Sequence, residues 1–191
     1  MVEWAKTPDR DRCRAVYATG QNYDFVVWPL PNVHLGVSVE DQQRADERVP
    51  ALVELSRMGW KTIISQEPQV EPVEYRDAWA EAIGGIICGG ESGSHARPFD
   101  VAWARQTKDW CEKHGVKFFL KQLGANVNDV TGEGKLWPSM PQFEQSGIPV
   151  RYVLRSPKGS DPAEWPEDLR ACQNLTRLPW AMTTATEGSE A

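Results

Sequence analysis

Four short runs of apolar and β-branched residues, each closed by polar residues and separated by stretches of helical composition, constrain this chain more than any other feature. Val33 to Val39, Lys61 to Ser65, Ile83 to Cys88 and Val116 to Leu120 read as strands bounded by turn signals. The run at Ile83-Gly84-Gly85-Ile86-Ile87-Cys88 is almost continuously apolar, the mark of a strand buried on both faces, as in a parallel sheet. Between the first two runs, Asp41 to Leu55 is helical in composition, with Ala45, Val49, Leu52 and Val53 near one face. Pro50 is expected to kink or restart that helix. A short helix is expected to close at Trp79 to Glu81. A longer one, over about 99–113, carries Trp103, Thr107, Trp110 and Cys111 at helical spacing and ends at Gly115.

Strand and helix in alternation, with short connections, predict an α/β fold with a parallel sheet. At 191 residues the chain falls short of the roughly 250 usual for a complete eight-stranded barrel. The expectation is a partial (β/α) barrel of about four parallel strands with helices over residues 1–124. An irregular C-terminal extension over 125–182, with one brief apolar run at Val150 to Leu154, and a small, polar, disordered tail at 183–191 complete it. Before the first strand, a helix is expected over about 8–18, stopped by Gly20, then a short apolar run from Tyr23 to Trp28.

Charge and cysteine usage narrow the function classes. A net charge of −6 with no basic stripe does not support nucleic-acid binding, since phosphate contacts need Lys and Arg gathered on one surface. Arg10, Arg12 and Arg14 are interleaved with Asp9 and Asp11, as on a solvated mixed-charge face. Cys13, Cys88, Cys111 and Cys172 lie far apart, without metal-ligand spacing, and the three histidines do not complete a site, so no metal is expected. Cys88 and Cys111 read as small core residues. The nine tryptophans read mainly as core and strand-end cover. No signal peptide or long apolar span is recognisable, which points to the cytoplasm, of a bacterial host cell, and away from membranes.

Parallel α/β folds bind ligands at the C-terminal ends of their strands, where loops gather. Those positions hold Ser38, Glu40 and Asp41 after the first strand and Gln66 and Glu67 after the second. Glu91 and Ser92 follow the third, and Lys121 and Gln122 the fourth. Gly89-Gly90-Glu91-Ser92-Gly93 is the sharpest motif. Its glycines permit close backbone approach, and its carboxylate and hydroxyl suit an amine or ribose; a tight turn with a solvated Glu91 explains it equally well. Arg97 is placed to pair with Glu91 or hold an anionic group. Glu67 caps the following helix or pairs with Lys121 in the plainer reading. In the sharper one it joins Glu91 as a carboxylate pair, which a retaining glycosidase would place about 5 Å apart. The ligand-binding candidates are therefore Glu67, Gly89, Gly90, Glu91, Ser92, Arg97, Lys121 and Gln122.

Four ordered segments carry a family resemblance. They are Trp28-Pro-Leu-Pro-Asn-Val-His-Leu-Gly-Val-Ser-Val-Glu-Asp-Gln42 with Arg44-Ala-Asp-Glu-Arg-Val-Pro50; Ser65-Gln-Glu-Pro68; Gly89-Gly-Glu-Ser-Gly93 with Ala96-Arg-Pro98; and Phe118-Phe-Leu-Lys-Gln-Leu-Gly124. Over residues 28–124 the chain resembles the phage protein family named for gene products thirty-seven and sixty-eight. That resemblance implies the C-terminal portion of a radical-SAM-like (β/α) barrel. In such barrels three cysteines of the N-terminal part hold a [4Fe–4S] cluster that binds S-adenosylmethionine. Here no such motif precedes Trp28, and Gln66 stands where the family's Ser-Cys-Glu-Pro stretch has cysteine.

Two function classes follow from the resemblance. One is a non-catalytic binding protein that keeps the fold without the cluster. The other is one subunit of a split radical-SAM enzyme, with S-adenosylmethionine and the cluster present only when a cysteine-bearing partner completes the barrel. A partner subunit, self-association, or the first thirty residues and the irregular 125–180 segment of the same chain are the ways the open sheet edge is expected to be covered.

Overall fold

The computed structural model describes residues 2–6, 28–129, 150–152 and 154–173. The expected helix over 8–18, its stop at Gly20, Cys13 and the tail at 183–191 lie outside the described residues. Helix α1 (Val2–Lys6) precedes β1 (His34–Ser38), α2 (Gln42–Arg57) and β2 (Lys61–Gln66). A 3-10 helix (Asp77–Ala82) leads to β3 (Gly85–Gly89) and the two-residue β4 (Phe99–Asp100). Then come α3 (Val101–His114), β5 (Lys117–Gln122), β6 (Val127–Asp129) and β7 (Val150–Tyr152). A 3-10 turn (Pro162–Glu164), α4 (Glu167–Arg170) and a last 3-10 turn (Ala171–Gln173) end the described chain.

The main sheet is parallel throughout, in the order β1-β2-β3-β5. Strands that neighbour one another in chain order are the order of a barrel rather than of a doubly wound fold, in which the strand order reverses. Ile64, Ile86 and Leu120 share one face, against which α2 and α3 pack, and all three are fully buried. The opposite face carries Gly36, Ile63 and Ile87, half-buried, and Phe119. The expected partial barrel of four parallel strands is present.

Local chemistry fixes both long helices. Asp41 accepts a hydrogen bond from the Arg44 amide at 2.8 Å, and Asp100 one from Ala102 at 2.8 Å, each satisfying an orphan donor of a first turn. Gly115 ends α3 at φ 68°, in the left-handed cap conformation. At Pro50 the expected restart does not occur, and α2 runs on as one helix from Gln42 to Arg57. Val49 and Leu52, fully buried on either side of the exposed proline, hold both halves to the sheet, and that packing outweighs the missing backbone donor.

Among the described residues beyond Gly124 the elements are all short. β6 pairs parallel with β4 and antiparallel with β7, making a second, three-stranded sheet. Leu123 and Gly124 donate to the carbonyls of Gly159 and Lys158 at 2.9 and 3.0 Å. Trp165, Leu169 and Cys172 are fully buried in the same core as Ile64 and Leu120. The chain on both sides of position 124 thus shares one core.

Candidate functional site

Each loop that leaves a strand of the main sheet is tied to its neighbour at the C-terminal end. Val39 donates to Ser65, Val70 to Glu40 and Gln69 to Gly89, each at 2.9 Å, and Gly90 to Gln122 at 3.1 Å. These bonds continue the ladder past the strands and hold the polar strand-end residues in a fixed row.

Glu67 is the best-defined member. It follows the last residue of β2, and its peptide bond to Pro68 is cis. Its carboxylate lies against β3 at Gly89, where a Cβ would stand 2.7 Å from Oε1, so only glycine leaves the carboxylate this position. The Lys121 ammonium from β5 approaches Oε2 at 3.2 Å, while Oε1 is sealed from solvent with no hydrogen-bond partner among the described residues. Burial pushes the carboxyl up from its ordinary range, against the opposing pull of Lys121. The Lys121 pairing expected of Glu67 is present. Gln66, beside it, is fully buried.

The glycine-rich turn divides into a close-approach part and an open part. At Gly90 no Cβ fits, because the Leu123 carbonyl oxygen occupies that place, and the Gln122 amide donates to the Gly90 carbonyl at 2.9 Å. Gly93 is the one glycine of the turn with positive φ, at 105°, and a Cβ there would meet nothing within 4 Å. Glu91 is closed by Arg97, whose backbone and side chain both bind it. Those hydrogen bonds bring its carboxyl down to about 2. Ser92 is exposed.

The fold thus brings Glu67, Gly89, Gly90, Lys121 and Gln122 into one cluster, with Glu91 and Arg97 forming their own pair at the edge of the turn. Each carboxylate of the expected Glu67–Glu91 pair has a separate cation. A third acid at a strand end, Glu40, pairs with Arg48 of α2 at 3.1 Å. Gln173, absent from the sequence candidates, joins them here: its amide donates to the Lys121 carbonyl at 3.1 Å and the Ser160 carbonyl at 3.3 Å. It sits 52 residues from Lys121 in the chain and carries no motif that could announce it. At the opposite, N-terminal ends of the strands a shallow groove of about 210 Å³ is lined by His34, Trp60, Lys61 and Glu81. It is remote from the strand-end cluster, and its mixed lining converges on no single chemistry.

The described cysteines do not fit an iron–sulfur cluster. Cys88, Cys111 and Cys172 are each buried, and the Cys88 thiol donates to Gln69 Oε1 at 3.3 Å. Burial drives the Cys88 and Cys111 thiols well up, away from the thiolate a metal needs. Among the described residues no three His, Cys, Asp or Glu side chains gather as metal ligands. No described helix is long and apolar enough to cross a membrane.

A four-stranded parallel sheet in the order β1-β2-β3-β5, with helices between its strands, defines an α/β protein. The chain belongs to the family described as Protein of unknown function (DUF5131), which matches residues 5–172. No curated protein matches it, and neither does any solved structure.

Proposed function

We propose that this chain is a binding protein built on a partial radical-SAM-like (β/α) barrel, akin to the phage family it resembles. It takes a small polar ligand over the C-terminal ends of β2, β3 and β5 in the bacterial cytoplasm and has no catalysis of its own. The observation that carries this reading is Glu67 Oε1, a desolvated carboxylate oxygen with no donor among the described residues, held against a glycine at the strand end. Such an oxygen favours a ligand that brings an N–H or O–H group once the exposed Lys121 side chain turns aside to open it, because a buried acceptor left unmet is costly. An amine or ribose hydroxyl of S-adenosylmethionine meets that requirement, with Glu67, Lys121 and Gln122 as the residues that would hold it.

The test is isothermal titration of the full-length protein with S-adenosylmethionine and S-adenosylhomocysteine, wild type against Glu67→Gln. Binding by the wild type with about a tenfold or greater loss in the variant supports the reading. No binding of either compound, or equal binding by the two proteins, refutes this ligand at this site.

A second reading is the C-terminal subunit of a split radical-SAM enzyme. Four sequential parallel strands are half the complement of an eight-stranded barrel, which favours completion by another chain. The cysteines would have to come from that partner, since those described here are buried in the core. Co-purification with a cysteine-bearing neighbour, and a four-iron absorbance seen only in the complex, would select this reading over the first.

A further inference from the structure

A seam between the main sheet and α3 collects polar atoms that nothing in the strand-end site uses. Gln66 Nε2 and Oε1, Tyr75 OH, Thr107 Oγ1 and Trp110 Nε1 are sealed from solvent and have no hydrogen-bond partner among the described residues. Their residues are related through Cys88 and Cys111, which neighbour Tyr75 from the sheet and from α3. Gln66 and Cys88 are register partners on β2 and β3, so their side chains stand side by side on the helix-facing surface. Tyr75 is buried and neighbours Trp110 of α3 and Cys88 of β3. Its ring is 5.2 Å from that of Trp110, and its ionisation is pushed well up by burial and by the nearby Cys88 and Cys111 thiols. Thr107 and Cys111, one turn apart, are both on the buried stripe of α3.

Five desolvated polar atoms left unmet would cost a large part of the net stability of a domain, and buried polar groups in native proteins almost always find partners. The lining decides what kind of partner fits. Glutamine, tyrosine, threonine, tryptophan and cysteine carry no charge here, so an ion is not favoured. Their atoms include both donors and acceptors: the amide offers both, the hydroxyls offer both, and the indole only donates. Water is the small neutral molecule that donates and accepts twice each. The buried residues of α3 are Val101, Ala104, Thr107 and Cys111, none larger than valine.

We propose that the seam between β2, β3 and α3 is an internal water-binding site, in which ordered water links Gln66, Tyr75, Thr107 and Trp110. Water–protein cross-relaxation on the full-length, 15N-labelled protein tests it. The Trp110 indole N–H is expected to show a water cross-peak with the sign of a long-lived contact, separated from proton exchange by its sign in the rotating frame. That peak is expected to be lost or strongly reduced in Gln66→Met, and in Tyr75→Phe should the first variant fail to fold. Absence of the peak in the wild type overturns the proposal. So does a peak unchanged in the folded variant, or a crystal structure in which the Gln66 amide bonds directly to the Tyr75 hydroxyl with no water between.

Discussion

Arg97 holds Glu91 by three hydrogen bonds, from its backbone amide at 2.9 Å, from Nε at 2.8 Å and from a terminal nitrogen at 3.1 Å. The pair closes the glycine-rich turn on itself, and the cation stabilises the ionised carboxylate. The folded protein therefore binds this proton less tightly than the unfolded chain. The stabilisation is fully present above the ordinary glutamate range near 4.5 and is lost as pH falls toward about 2. A carboxyl-resonance NMR titration is expected to find Glu91 ionised down to about 2 in the wild type and titrating closer to its ordinary range in Arg97→Gln. A wild-type midpoint near 4.5 would show the pair to be open in solution.

Glu67 has the opposite sign. Burial raises its folded-state pKa, so its ionisation disfavours the fold: stability is greatest below the ordinary glutamate range and declines as pH rises through the folded value. Lys121 works against that shift. Lys121→Met is expected to move the Glu67 midpoint further up. Glu67→Gln is expected to flatten the dependence of thermal stability on pH across the same window. A Glu67 midpoint that falls in Lys121→Met would mean that burial is not the governing cause.

The turn at Gly89 to Gly93 separates two reasons for a glycine. At Gly90 the obstacle is the Leu123 carbonyl together with Phe99 Cβ, 2.9 Å from where a Cβ would lie, and backbone cannot step aside as a flexible side chain can. At Gly93 there is space but φ is 105°. Gly90→Ala is expected to cost about 3 kcal/mol, the upper part of the overpacking range, and Gly93→Ala about 1–2 kcal/mol from conformation alone. Urea titrations of the two variants decide the order, and a larger loss at Gly93 would show that turn conformation dominates.

The sequence displayed the strands and helices of the main sheet because each carries its own local signal: β-branched runs, Asp41 and Asp100 as caps, Gly115 as a stop. The strand-end candidates were legible for the same reason, since a strand that ends at Gln66 must put Glu67 at the sheet's edge. Their partners were legible in part. Lys121 and Arg97 are close enough in type and place to suggest the pairs, whereas Gln173 comes from a turn whose position depends on Trp165 and Leu169 reaching the core. β6, only three residues long, pairs across 28 positions of chain with β4 and has no periodicity to read.

At Pro50 a tertiary effect overrides a local rule. The proline lacks a helix donor and faces solvent in the middle of α2, while Val49 and Leu52 beside it are fully buried. Relieving it is expected to stabilise the protein. A proline in a helix interior is about 3 kcal/mol worse than alanine, but alanine also frees the unfolded chain, so the net gain for Pro50→Ala is about 1–2 kcal/mol. A denaturation midpoint that falls would show that Pro50 sets a bend on which α2 packing depends.

Trp165 tests whether the chain beyond Gly124 is part of the core or an appendage. Its ring is fully buried, and its indole nitrogen donates to the Gly159 carbonyl at 2.8 Å. Gly159 in turn accepts from Leu123 at the end of β5. A core role makes Trp165→Ala cost about 3–5 kcal/mol. Trp165→Phe keeps most of the packing but leaves the Gly159 carbonyl one donor short, which costs about 1–3 kcal/mol. Both losses should appear in a single cooperative transition with an unchanged denaturant slope, because one core unfolds as one unit. A separate early transition in Trp165→Ala, with the main midpoint intact, would instead mark the segment around Trp165 as an appendage that the four-stranded sheet does not need.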